Sequence, residues 1–173
     1  MCGIVGIVGK GPVEERLVDA LRRLEYRGYD SAGVATIHDG MMDRRRAEGK
    51  LFNLEKALDG EPLPGNIGIA HTRWATHGVP NVPNAHPHFV DGVAVVHNGI
   101  IENFSELKDE LVAEGAVFES QTDTEVVAHL LAKYTREGLD HRAAMLKMLN
   151  RVHGAYALVV MFKDAPDTIL SAR

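Results

Sequence analysis

Met1-Cys2-Gly3-Ile4-Val5-Gly6-Ile7-Val8-Gly9 opens the chain, and the fold turns on how it is read. Residues 4–8 form a short apolar run of strand type, punctuated by Gly3, Gly6 and Gly9. No G-x-x-x-x-G-K-[ST] pattern is present, so the glycines do not make a phosphate loop; Gly9-Lys10-Gly11-Pro12 reads as a turn. Cys2 is the one cysteine of the chain. Removal of Met1 would leave it with a nucleophilic thiol and a free α-amine side by side. An α-amine with its ordinary pKa of about 7.7–8.0 is partly neutral near pH 7, so a single residue can hold both nucleophile and base. On position alone the plainer reading is a small apolar residue in a strand, buried and inert.

Outward from this strand, the spacing of Val13, Leu17, Leu21 and Leu24 predicts an amphipathic helix between Pro12 and Gly28. Residues 31–37 are strand-like and lead into a turn at Asp39-Gly40. The basic run Arg44-Arg45-Arg46 reads as a solvated hairpin or loop face. Residues 60–65 form a Pro- and Gly-bearing loop, and 67–70 and 93–97 are apolar runs of buried-strand type. Between those runs, residues 73–91 make a long irregular segment, a common place for function. Asn103 with Glu106 opens a helix ending at Gly115; Thr122 with Glu125 is a capping box for a helix to about Gly138. Another helix covers 141–152, and strands cover 155–162 and 168–170. Grouped strands and paired helices favour a layered α+β domain over a parallel doubly wound sheet.

The chain has 173 residues, 45% hydrophobic and 25% charged, which fits one domain with a sizeable core. A net charge of −5 argues against a general nucleic-acid binder. A lone cysteine permits no internal disulfide, which suits a reducing cytoplasm. The opening apolar run is short, lacks a basic leader and meets Lys10 at once, so it reads as neither signal peptide nor membrane span.

Four patches carry chemistry. They are residues 1–6; Tyr26-Arg27-Gly28-Tyr29-Asp30-Ser31-Ala32-Gly33; His71-Thr72-Arg73-Trp74-Ala75-Thr76-His77-Gly78; and His97-Asn98-Gly99-Ile100-Ile101-Glu102-Asn103, backed by Thr122-Asp123-Thr124-Glu125. Together they resemble the glutaminase domain of the glutamine–fructose-6-phosphate amidotransferases, class II amidotransferases among the N-terminal-nucleophile hydrolases. The resemblance runs from residue 2 to 173. It implies a four-layer α/β/β/α sandwich over 1–173 and hydrolysis of L-glutamine to glutamate and ammonia. Cys2 would be the nucleophile, with the Asn98 side chain and the Gly99 N–H as oxyanion hole. Arg73 would pair with the substrate α-carboxylate and Asp123 with its α-ammonium. Trp74, Thr76 and His77 fall in the loop that closes on glutamine, and Arg27 and Gly28 support the N-terminus. Without the family, Asn98-Gly99 reads simply as a hairpin turn and Asp123 as a charge in the first helical turn.

The resemblance further implies a longer chain from which this domain is excised. A C-terminal sugar isomerase domain would add the ammonia to fructose 6-phosphate, in a homo-oligomeric cytoplasmic enzyme without cofactor. The equivalent domains of the purine-pathway amidotransferase or asparagine synthetase are close alternatives. A non-catalytic glutamine-binding module is a different class. The histidines from His71 to His97 invite a metal reading, but Pro87 between His86 and His88 and the lack of a Cys or His-Glu helical motif favour structural hydrogen bonding.

Overall fold

The computed structural model describes residues 2–75 and 77–173, with Arg27 by its backbone only. One antiparallel sheet holds β1 (Gly3–Val8), β2 (Ser31–His38), β3 (Met41–Glu48) and β4 (Ile67–Arg73) in the order β1-β4-β2-β3. A second holds β5 (His88–Val90), β6 (Val93–Ile101), β7 (Gly154–Phe162) and β8 (Ile169–Ala172) in sequence order. The helices α1 (Glu14–Arg22) and α2 (Leu51–Gly60) cover the first sheet; α3 (Phe104–Ala113), α4 (Glu125–Arg136) and α5 (His141–Leu149) serve the second.

Three apolar clusters bind these four layers. Leu17, Leu21, Leu51 and Leu54 pack on Val34 and Ala70 of the first sheet. Leu107, Val127, Leu131 and Met148 pack on Val95 and Val160 of the second. Ile37, Ile67 and Ile69 meet Ala94, Val96 and Met161 between the sheets. The strand pleat makes this possible, because alternate residues point to opposite faces. The result is the α/β/β/α sandwich expected from the resemblance.

Several local expectations are corrected. Helix α1 ends at Arg22, and a separate 3-10 turn at Glu25–Arg27 leads to Gly28. Thr122 does not cap α4: the helix opens after Thr124, and Glu125 instead accepts from the backbone N–H groups of Glu119 and Ser120. Asn98 and Gly99 lie inside β6, paired with Ala157 and Tyr156, rather than in a turn. The Arg44-Arg45-Arg46 run does sit in a hairpin, but it is half-buried. Arg44 donates to the Pro87 carbonyl and Arg46 to those of Pro83 and Ala85, so the run pins the segment that carries His86.

Gly68 shows how tightly α1 sits on its sheet. A Cβ there would lie 2.6 Å from Leu17 Cδ1 and 2.7 Å from the Ala35 carbonyl oxygen. Gly68→Ala should therefore destabilise by about 1–3 kcal/mol in denaturant unfolding, as overpacking does. Gly60→Ala, with nothing within 4 Å, should be neutral or stabilising. Equal effects at both positions would contradict this packing.

Candidate active site

The same pleat brings the chemistry to one end of the interior. Cys2, just ahead of β1, continues the row of Ile4, which packs between the sheets. Arg73 continues the β4 row of Ile67, Ile69 and His71, and Asn98 continues the β6 row of Ala94 and Val96. A cavity of about 380 Å³ opens there, lined by Cys2, Arg73, Trp74, His77, Asn98, Gly99 and Asp123, with His71, His86 and His97 behind. Trp74 N–H donates to Cys2 Sγ at 3.1 Å. Asn98 Nδ2 donates to the Cys2 carbonyl oxygen at 3.2 Å. A cysteine sulfur, an amide side chain and a backbone N–H thus converge on one space.

The cavity brings the other expected residues to it in different ways. Gly99 has φ +123°, and a Cβ there would overlap the Ala155 carbonyl oxygen of β7. Glycine is thus required by the strand pairing, whatever substrate approaches. Asp123 is buried just ahead of α4; its Oδ2 accepts from Ile101 N–H at 2.8 Å, and its Oδ1 lies 3.8 Å from His97 Nδ1. Arg73 is 3% exposed, and its guanidinium donates to the carbonyls of His77 and Gly78. Trp74 is exposed and its ring lies over Gly28, whose φ is +73° and whose Cβ would come within 2.6 Å of Cζ3. The His77 ring stands edge-on to Phe104 at 5.1 Å. Thr76, Met1 and the Arg27 side chain lie outside the described residues.

Sequence reasoning missed the polar scaffold behind the cavity. His71 Nε2 lies 2.8 Å from the His97 carbonyl oxygen. A carbonyl only accepts, so Nε2 carries the ring proton. The Thr124 hydroxyl sits between His86 Nε2 at 2.8 Å and His97 Nδ1 at 2.9 Å. Glu125 accepts from Ser120 Oγ at 2.6 Å, which uses the one serine proton. Thr122 therefore donates to Ser120 Oγ, and His88 Nε2–H donates to Thr122 Oγ1 at 3.1 Å. Burial raises Glu125, but the His129 imidazole, the Ser120 hydroxyl and the backbone N–H groups of Glu119 and Ser120 outweigh it and hold the carboxyl down to about 2. Only the density of Ser, Thr and His around residues 84–88 and 120–125 hinted at this in the sequence. Among the described residues, no group of three or more His, Cys, Asp or Glu is arranged to hold a metal ion. A second cavity of about 380 Å³ lies away from Cys2, and its Lys133 and Arg136 pair with Glu114 and Asp91.

A family model described as the glutamine amidotransferase domain matches residues 73–173. The chain belongs to that family. Glutamine–fructose-6-phosphate aminotransferase (isomerizing) of Agrobacterium fabrum is 82% identical over all 173 residues, and the chain spans 28% of its length. The enzyme of that description from Rhizobium meliloti is 73% identical over the same residues, again 28% of the relative. Among solved structures, the glutamine phosphoribosylpyrophosphate amidotransferase of B. subtilis superposes with a TM-score of 0.80 at 26% identity, over 94% of this chain and 35% of its own. No described helix of the domain is long and apolar enough to cross a membrane.

In this glutamine amidotransferase domain, the four buried imidazoles of residues 71, 86, 88 and 97 are held neutral. Burial pushes His71 and His88 down to about 3 and His86 well below the usual range. Burial also lowers His97, opposed by Asp123. In the unfolded chain each titrates near 6.5, so the unfolded state binds more protons as pH falls below that value. Their stabilising contribution is complete above pH 6.5 and shrinks as pH falls toward 3, by about 1.4 kcal/mol per pH unit for each proton. Unfolding free energy measured between pH 6.5 and 4.5 should fall with a slope of roughly two to four protons. A flat profile would mean that the folded cluster takes up protons as readily as the unfolded chain.

Proposed function

We propose that this domain hydrolyses the side-chain amide of L-glutamine through a γ-glutamyl thioester on Cys2, after loss of Met1. The placement of Cys2 Sγ in one cavity with Asn98, Gly99, Arg73 and Asp123 is the observation that carries the reading. The thiol passes its proton to the α-amine of Cys2, and sulfur attacks the amide carbon. Negative charge then develops on the amide oxygen, where the second N–H of the Asn98 amide and the Gly99 N–H would stabilise it. The α-ammonium returns the proton to the departing nitrogen, and ammonia leaves. Water attacks the thioester, the α-amine takes its proton, and glutamate departs as the thiolate is restored.

Asp123 would receive the α-ammonium of the substrate on Oδ1, since Oδ2 is already engaged by Ile101 N–H. Arg73 would receive the α-carboxylate with the donors left over from its loop carbonyls; a planar guanidinium can serve both. Trp74, Thr76 and His77 would form the covering loop, with Arg27 and Gly28 supporting it and the N-terminus. The names of the relatives, and the 28% of their length that this chain spans, support delivery of the ammonia to fructose 6-phosphate by a further domain of a longer protein; its cytoplasmic location and homo-oligomeric state are proposed from the resemblance alone. The chemistry needs no cofactor.

Ammonia release from glutamine should be lost in Cys2→Ala without loss of fold, because alanine fills nearly the same space. It should also be lost in a form whose N-terminus is extended by an uncleavable residue, and return on trimming to Cys2. Acylating the nitrogen removes its basic lone pair. Full activity of the extended form would assign the base to another residue.

A further inference from the structure

Asp30 belongs to the Tyr26–Gly33 patch, yet the reaction above gives it no task. Every polar group of this residue is engaged. Its backbone N–H donates to the Arg73 carbonyl at 2.7 Å, and its carbonyl accepts from Gly49 N–H at 2.7 Å. One carboxylate oxygen accepts from Ser31 Oγ at 3.0 Å and lies 3.6 Å from Arg73 Nη1; the other accepts from Ala75 N–H. The placement follows from strand register. Ser31 pairs with Arg73 across β2 and β4, so Asp30 falls opposite the first loop residues beyond the ladder.

What this grip controls is one residue away. Trp74 N–H, between Arg73 and Ala75, is the group that donates to Cys2 Sγ at 3.1 Å. Asp30 fixes the two peptides that flank the Trp74 Cα: the one that carries this N–H, through the Arg73 carbonyl that accepts from the Asp30 N–H, and the next, through the Ala75 N–H that donates to its carboxylate. It also flanks the Arg73 guanidinium that draws in the His77 and Gly78 carbonyls. We propose that Asp30 is a positioning residue, which aims the Trp74 N–H at the nucleophilic sulfur by holding residues 73–75 in place. A donor aimed at sulfur lowers the cost of negative charge there. The proposal deepens the glutaminase reading and rests on it.

Asp30→Ala removes both the acceptor and the counter-charge. Asp30→Asn keeps an oxygen that can accept from Ala75 N–H. In protein beginning at Cys2, with active thiols titrated by iodoacetamide, Asp30→Ala should lower kcat per thiol about tenfold or more and raise KM for glutamine. Asp30→Asn should stay within about threefold of the unsubstituted protein. The second-order rate of Cys2 alkylation by iodoacetamide should fall at least about threefold in Asp30→Ala, a readout that needs no glutamine turnover. Unchanged kcat and KM per thiol, with only a lowered melting point, would reduce Asp30 to a stability role and overturn the proposal. So would an Asp30→Asn variant as impaired as Asp30→Ala. If the unsubstituted protein fails to release ammonia from glutamine, the glutaminase reading falls, and the alkylation rates still decide whether Asp30 governs Cys2.

Discussion

Burying four imidazoles and a guanidinium at one end of an otherwise apolar interior is the constraint on which the rest of this structure depends. The rows that fill the space between the sheets, Ile67-Ile69 on β4 and Ala94-Val96 on β6, do not stop where the hydrocarbon stops. They run on into His71 and Arg73 on one side and Asn98 on the other. A polar group placed there must find a partner or cost free energy. The molecule meets part of that demand with short hydroxyl side chains and loop carbonyls, while Nδ1 of His71 and of His86 and Nε2 of His97 stay buried without a hydrogen-bond partner among the described residues. Thr124 serves two histidines, Thr122 and Ser120 link a third to Glu125, and the backbone of residues 77–78 satisfies Arg73. The cavity beside Cys2 is the part of this polar end left open.

This arrangement links fold and chemistry. The loop after β4 is held by Arg73 from within and by Asp30 from the neighbouring strand. Its backbone supplies the donor that meets the Cys2 sulfur. The nucleophile candidate is therefore fixed by β1 pairing on one side and by a hydrogen-bonded loop on the other. The exposed Trp74 ring, resting on Gly28, is the solvent-facing lip of the same loop.

Much of this was legible in the sequence, and what was not has physical reasons. The buried strands were visible because apolar runs such as Val93-Ala94-Val95-Val96 have few other uses. Strand β3 was hidden because its arginines look solvated, while Arg44 and Arg46 actually reach backbone carbonyls of residues 83–87 and Arg45 that of Glu61. Helix α2 was overlooked although Leu51, Leu54 and Leu58 carry helical spacing and are buried. The resemblance marks Gly99 as an oxyanion donor, but the β7 carbonyl opposite it, which no local pattern shows, already demands glycine there. The hydrogen bonds of Asp30 and Thr124 could not be read, because their partners lie tens of residues away and are largely backbone atoms or side chains without a motif.

The central claim is that sulfur of Cys2 carries the acyl group. Rapid acid quench of the processed protein during turnover, followed by peptide mass analysis, tests it directly. The account predicts a glutamyl adduct on the peptide that begins at Cys2, seen with glutamine and absent with glutaramate, which lacks the α-amine that Asp123 would hold. Ammonia release with no adduct at any quench time, or with the adduct on another residue, would contradict it.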